Sequence, residues 1–152
     1  MIVKPRIKGF VCITSHPLGC MASVKQKVEI AQANVLGKDN SPKRVLVIGA
    51  STGYGLSSRI AAAHSAGADT LGVYFERPPK TDKPASAGYY NSLAFHKLCE
   101  KGSTKHLDVN GDAFSKACKM EVLERAKELG GAFDLVVYLS LIHISEPTRL
   151  AE

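Results

Sequence analysis

A glycine-rich run at residues 49–55 is the clearest chemical motif in this sequence. It reads Gly-Ala-Ser-Thr-Gly-Tyr-Gly and stands between a β-branched apolar run and a segment of helical composition. Glycine lets the backbone turn sharply and approach a phosphate closely, because it has no Cβ. The N–H groups and the positive dipole end of the following helix can then bind phosphates. A turn with no ligand is the alternative. The residues predicted to bind the pyrophosphate of a dinucleotide are Gly49, Ala50, Ser51, Thr52, Gly53 and Tyr54.

An acidic residue ends the second predicted strand. Glu76 stands 27 residues after Gly49, where a carboxylate can accept hydrogen bonds from the adenosine ribose and repel a 2′-phosphate. We therefore predict that Phe75 and Glu76 bind the adenosine, and that the site prefers NADH to NADPH. Arg77 argues for the opposite preference, since a guanidinium can pair with a 2′-phosphate. A solvated Glu76 at the strand end, with no ligand, is a further alternative.

Strands and helices are predicted to alternate around these residues. The non-alternating apolar run at 44–49 is typical of a strand covered on both faces. An N-terminal strand or hairpin arm is predicted at 1–13, and His16, Pro17 and Gly19 are predicted to end it. Predicted strands follow at 44–49, 70–75, 104–109 and 133–138. Predicted helices lie at 22–34, 56–66, 90–101 and 114–129, and a surface loop at 77–88.

This alternation predicts the fold class. Strands joined by helices form parallel sheets from right-handed βαβ units. We therefore predict an α/β fold, an incomplete Rossmann-like parallel sheet with flanking helices and an N-terminal strand or hairpin preface.

The composition is that of an ordinary globular protein. Of the 152 residues, 45 % are apolar and 22 % are charged, which excludes gross disorder. There is no run of about 18 apolar residues, so no membrane span is predicted. The first ten residues lack the apolar stretch of a signal peptide, which favours a cytoplasmic location. The net charge is +6, but the basic residues are dispersed and only ten residues are aromatic, which argues against nucleic-acid binding.

Two further groups of residues invite a chemical role. Cys12, His16 and Cys20 have a spacing that suggests a metal site, but zinc requires four ligands and no fourth is evident, so no metal is predicted. His96 and His106 have no cysteine or acidic partner at catalytic spacing, so they are not assigned to a site.

The spacing of the glycine run resembles that of the short-chain dehydrogenase/reductase superfamily. It is G-x-x-x-G-x-G rather than G-x-G-x-x-G. In that superfamily an Asp after the third strand contacts the adenine amine, so the resemblance implies that Asp112 and Ala113 bind adenine. Asp112 can equally serve as the N-cap of the predicted helix that starts at Phe114.

A closer resemblance runs from Met1 to Tyr138. The chain resembles the FabV class of trans-2-enoyl-CoA/ACP reductases, and the long preface before the glycine run is the specific part. The resemblance implies NADH as cofactor, enoyl-CoA or an enoyl-acyl carrier protein as partner, and reduction of the α,β double bond in fatty-acid biosynthesis. The full-length protein is expected to be a monomer. The segments that carry the resemblance are residues 1–10, 14–20, 45–56, 89–92 and 111–115.

No catalytic residue is assigned in this chain. The resemblance implies a catalytic Tyr and Lys separated by eight residues, in the C-terminal half of a much longer protein. Tyr74 and Lys83 have that separation, but they fall at a strand end and in a proline-rich loop, so we reject them. A non-catalytic dinucleotide sensor, or another short-chain dehydrogenase/reductase, is the alternative function.

The family pattern ends at Tyr138. Residues 139–149 match one reading frame of a transposase adapter used in preparing sequencing libraries, so 139–152 are predicted to be non-native. We predict a preface at 1–42 and a truncated NAD-binding portion at 43–138. A sheet cut at this point would expose apolar surface, and we expect poor solubility.

Overall fold

The computed structural model describes residues 4, 7–9, 11–12, 14–37, 39, 41–81, 83–100 and 102–139. The strands are β1 (Ile7–Lys8), β2 (Val11–Cys12), β3 (Arg44–Ile48), β4 (Asp69–Tyr74), β5 (His106–Asn110) and β6 (Leu135–Tyr138). The helices are α1 (Pro17–Ala33), α2 (Gly53–His64), α3 (Ala87–Cys99) and α4 (Lys116–Glu128).

The main sheet has four parallel strands in the order β5-β4-β3-β6. The chain runs outward from β3 through β4 to β5 and then returns to place β6 on the other side of β3. The strand order therefore reverses at β3. In open α/β sheets, ligands bind in the crevice beyond the carboxyl ends of the strands at such a reversal.

Helices cover both faces of this sheet. On one face, α1 packs against α2 and α3, and their shared core includes the buried side chains of Val24, Leu56 and Phe95. On the other face, α4 packs on β4 and β5 through Cys118 and neighbouring apolar residues. The predicted α/β class with a Rossmann-like parallel sheet is confirmed. None of the four described helices combines the length and hydropathy that a bilayer span requires.

The N-terminal preface contains a short antiparallel hairpin and a long helix. Ile7 pairs with Cys12 across a turn at Gly9, in agreement with the predicted hairpin. The arm ends before His16 and Pro17 as predicted, but the helix predicted at 22–34 begins earlier, at Pro17. Proline suits the first turn of a helix, because the N–H groups of that turn have no acceptor within the helix and because the φ of proline is fixed near the helical value.

Candidate dinucleotide-binding site

The glycine run forms a tight loop between β3 and α2. The N–H groups of Gly49 and Ala50 both donate to the carbonyl of Val73, at 2.8 and 3.1 Å, which fastens the loop to β4. Gly49 has a φ of 89°, in the left-handed region that favours glycine. A Cβ on Gly49 would also collide with the carbonyl of Leu139, and one on Gly55 would collide with the carbonyl of Gly49. The loop is therefore as compact as a phosphate-binding turn requires.

The start of α2 presents unused hydrogen-bond donors. Thr52 is the N-cap residue, and its side chain does not cap the helix. Within the described ranges, the N–H groups of residues 51–55 have no acceptor. Unpaired N–H groups at a helix N-terminus, together with the helix dipole, favour an anion. The loop thus fits a pyrophosphate, and the exposed side chain of Tyr54 lies at its rim.

The structure brings the glycine run and the acidic strand end together. The Ser51 hydroxyl donates to Oε1 of Glu76 at 2.6 Å. Glu76 lies just beyond β4, and its backbone N–H and carbonyl are both bonded to the side chain of Asn110, at 2.8 and 3.0 Å. Phe75 beside it is 79 % exposed, so its ring is available to a ligand.

The N-terminal part of α3 contacts both segments through Gly88 and Asn91. Asn91 donates from Nδ2 to the carbonyl of Ser51 at 3.0 Å. Gly88 is buried, and a Cβ there would collide with the Glu76 carboxylate and lie 2.7 Å from Ser51 Cβ. The sequence reasoning assigned no role to Gly88, Asn91 or Asn110. For Asn91, the available signal is its place within residues 89–92, the segment after the proline loop that carries the family resemblance.

Asp112 and Ala113 follow β5 at the same edge of the sheet. Asp112 is exposed, and its Oδ1 accepts the N–H of Phe114 at 2.9 Å. Asp112 is not the N-cap of α4, so the alternative role predicted for it as an N-cap is wrong. Ser115 has this role, because α4 begins at Lys116 and the Ser115 hydroxyl accepts the N–H of Cys118 at 3.1 Å.

A charged network that the sequence reasoning missed lies beneath the site. The guanidinium of Arg59 is 1 % exposed and lies 2.5 Å from Oδ1 of Asp108. Oδ2 of Asp108 accepts the Tyr74 hydroxyl at 2.6 Å and lies 2.7 Å from His96 Nε2. The expectation that His96 lacks an acidic partner is therefore wrong. Sequence spacing could not show this pairing, because strand β5 and helix α3 meet only in the folded chain.

Burial and charge explain how this network titrates. Burial opposes ionisation of Asp108, but the His96 hydrogen bond and the Arg59 charge hold the pKa of Asp108 below its usual value. Burial and the Asp108 carboxylate raise the pKa of Tyr74. Tyr74 thus stays protonated at neutral pH, with its hydroxyl bonded to a buried carboxylate. The rejection of Tyr74 as a catalytic tyrosine stays a prediction.

The group of Cys12, His16 and Cys20, for which no metal is predicted, lies partly outside what the structure describes, because the side chain of Cys12 is not described. Among the described residues, no group of three or more His, Cys, Asp or Glu side chains could hold a metal ion. Of the segment predicted to be non-native, 140–152 also lie outside the described residues.

Comparison with protein families gives a direct match. The family model for the NAD(P)H binding domain of trans-2-enoyl-CoA reductase matches residues 2–81, and the model for the trans-2-enoyl-CoA reductase catalytic region matches residues 83–150. The chain belongs to the trans-2-enoyl-CoA reductase family. The resemblance drawn from the sequence is confirmed.

Curated relatives of this family share about half of their aligned residues with the chain. The enoyl-[acyl-carrier-protein] reductase [NADH] of Methylobacillus flagellatus is 52 % identical over 138 residues, which cover 91 % of this chain and 34 % of the relative. The enzyme of the same name from Yersinia enterocolitica is 52 % identical over 139 residues, with the same coverage. The chain thus spans about a third of the length of these trans-2-enoyl-CoA reductase relatives.

Solved structures of the family have the same fold. The crystal structure of Treponema denticola trans-2-enoyl-CoA reductase in complex with NAD superposes with a TM-score of 0.86 at 41 % identity, over 92 % of this chain and 36 % of that one. The Clostridium acetobutulicum enzyme in complex with NADH gives a TM-score of 0.83 at 33 % identity, over 92 % of this chain and 35 % of that one.

Proposed function

We propose that this chain forms the NADH-binding part of an enzyme that reduces the α,β double bond of trans-2-enoyl thioesters in fatty-acid biosynthesis. The observation that carries the proposal is the hydrogen bond between Ser51 and Glu76. It joins a loop with unused N–H donors to a carboxylate at the same edge of the sheet. The names of the curated relatives and the cofactors in the solved structures support the same cofactor and substrate class.

Each part of the cofactor has a proposed set of residues. Residues 49–54 bind the pyrophosphate: Gly49 and Ala50 shape the turn and are fastened to Val73, and the N–H groups of residues 51–54, unpaired among the described residues, are free to donate to the phosphates. Phe75 and Glu76 bind the adenosine, and Glu76 disfavours NADPH because its carboxylate repels a 2′-phosphate. Asp112 and Ala113 bind the adenine at the end of β5.

When bound, NADH would supply the hydride that adds to the β-carbon of the enoyl thioester, with a proton added at the α-carbon and NAD⁺ as the product. The residues of this chain bind and orient the dinucleotide, and none is assigned to proton transfer. We propose enoyl-CoA or an enoyl-acyl carrier protein as substrate.

We further propose that the full-length protein is monomeric and lies in the cytoplasm. The three described cysteines, Cys20, Cys99 and Cys118, are free thiols, which suits a reducing compartment. We propose that the chain consists of an N-terminal preface at 1–42, an NAD-binding portion at 43–138 and a non-native segment at 139–152.

Two measurements test this function. Calorimetry of the chain with NADH is expected to show binding at one site. The uninterrupted full-length protein is expected to oxidise NADH only when crotonyl-CoA or a longer enoyl-CoA is present. The oxidation is measured as the loss of absorbance at the reduced nicotinamide band. Binding of NADH by the full-length protein without enoyl-dependent oxidation would favour a dinucleotide sensor and contradict the proposed reductase.

A further inference from the structure

Asn110 extends the pairing of β4 and β5 beyond the last pair of strand residues. The regular ladder ends at the pair Tyr74 and Asn110. The Asn110 side chain then pairs with the Glu76 peptide, accepting its N–H at Oδ1 (2.8 Å) and donating from Nδ2 to its carbonyl (3.0 Å). A primary amide can do this because it presents one donor and one acceptor side by side, as a peptide group does.

Glu76 has few other restraints on its backbone. It lies outside β4, and its neighbours Phe75 and Arg77 are both exposed. The next residue is held by Ser86: the Arg77 N–H donates to the Ser86 hydroxyl at 3.1 Å, and the Arg77 carbonyl accepts the Ser86 N–H at 3.1 Å and the Ser86 hydroxyl at 3.3 Å. The two bonds from Asn110 therefore hold the backbone N–H and carbonyl of Glu76 at the edge of the sheet, and Ser86 holds the chain directly after it.

The Glu76 carboxylate is oriented separately. Ser51 donates to Oε1, and buried Gly88 leaves just enough space behind the carboxylate. With Oε1 engaged and the peptide held by Asn110, Oε2 is the carboxylate oxygen left for a ribose hydroxyl. Loss of the Asn110 bonds would let the backbone of Glu76 move, and the carboxylate would move with it.

We propose that Asn110 is a positioning residue that sets the preference of this site for NADH over NADPH by holding Glu76. This inference rests on the proposed function of Glu76 as the ribose acceptor. A displaced carboxylate loses its bonds to the ribose of NADH and also repels the 2′-phosphate of NADPH less. The affinities for the two dinucleotides therefore change in opposite directions, whereas general destabilisation of the fold weakens both.

The test compares Asn110→Ala with the unaltered chain and with Asn34→Ala. Asn34 is a matched control, because its Nδ2 donates to the carbonyl of Ile30 at 2.8 Å at the end of α1, on another element. Kd values for NADH and NADPH are measured by calorimetry, and Tm by thermal melting. For Asn110→Ala we expect NADH binding to weaken about tenfold, the size expected for one to two net hydrogen bonds, with NADPH binding unchanged or tighter. Asn34→Ala is expected to keep the ratio of the two Kd values.

The outcomes separate this inference from the proposed function. An unaltered chain that binds neither dinucleotide, or binds both equally, contradicts the proposed cofactor site and the inference with it. An unaltered chain that prefers NADH, with the same preference in Asn110→Ala, overturns the role of Asn110 alone. If Asn110→Ala does not fold, Asn110→Ser replaces it, since its hydroxyl adds no charge. A ratio in Asn110→Ser equal to that of the unaltered chain likewise overturns the inference.

Discussion

The Ser51 hydroxyl donates to Oε1 of Glu76 at 2.6 Å and so connects the loop after β3 to the residue beyond β4. The two residues are 25 positions apart in the chain. Their contact means that one side of the site is assembled before any ligand binds. Substitutions in either segment are therefore expected to change the affinity for the cofactor as well as the stability of the fold.

Replacement of Glu76 by Gln is expected to reverse or abolish the preference for NADH. The amide keeps the size of the side chain but removes the charge that repels a 2′-phosphate, so NADPH affinity should rise roughly tenfold, a change typical of one close charge interaction at a partly exposed site. Calorimetry with both dinucleotides measures it. The control is Glu100→Gln, an exposed acid after α3, for which an equal change in NADPH affinity would contradict the assignment.

Gly88→Ala tests the space behind the site. Alanine normally favours a helix, but here its Cβ would collide with the Glu76 carboxylate and press on Ser51. We expect a loss of about 1–3 kcal/mol in the free energy of unfolding, typical of overpacking, together with weaker NADH binding. Urea denaturation and calorimetry measure the two effects. Gly37→Ala is the control, since Gly37 has open space around it. An equal change in the free energy of unfolding for the two variants would show that a Cβ at residue 88 is accommodated.

Asp108→Asn tests the buried ion pair. The substitution leaves the 1 % exposed Arg59 guanidinium without its anionic partner, which is expected to cost about 3–5 kcal/mol in the free energy of unfolding. Glu29→Gln, in the exposed pair with Lys25 at 3.7 Å, is expected to cost about 0.5 kcal/mol or less. Urea denaturation of both variants gives the comparison, and similar losses would show that the Asp108 pair does not support the fold.

Acid is expected to destabilise the protein through His106. Burial first, and then the Arg59 charge, lower the pKa of His106 from 6.5 to about 4. Between these two values the unfolded chain binds a proton that the folded chain does not, so stability falls as pH falls. The stabilising contribution is complete above pH 6.5 and is lost as pH falls toward 4. Urea midpoints from pH 7.5 to 4.5 measure it, and His106→Gln should show a shallower dependence. A slope that His106→Gln leaves unchanged would assign the acid sensitivity to other groups.

The order of elements and the glycine loop could be predicted because their signals are local. The apolar run at 44–49, the glycines after it and the acid at residue 76 lie within one βαβ unit, where spacing in the chain corresponds to spacing in the fold. The start of α1 at Pro17 was missed because this proline was interpreted only as the end of the N-terminal arm and not also as a first-turn residue of the helix.

The supports of the site could not be predicted in the same way. Asn110 contacts Glu76 across 34 residues, and Asn91 contacts Ser51 across 40. The partner of the buried Arg59 is on β5, 49 positions away, so no spacing within one helix or strand indicates it. Such contacts depend on the register of β4 and β5 and on how α3 packs, and both are tertiary properties.

The bond from Asn91 to the Ser51 carbonyl also joins helix α3 to the loop after β3. Local unfolding of the loop would remove this polar contact from α3, so the loop and the N-terminal part of α3 are expected to unfold as one cooperative unit. Amide hydrogens at the start of α3 would then exchange with solvent at a rate set by the loop. A ligand that closes the loop would slow exchange in a helix that it does not touch.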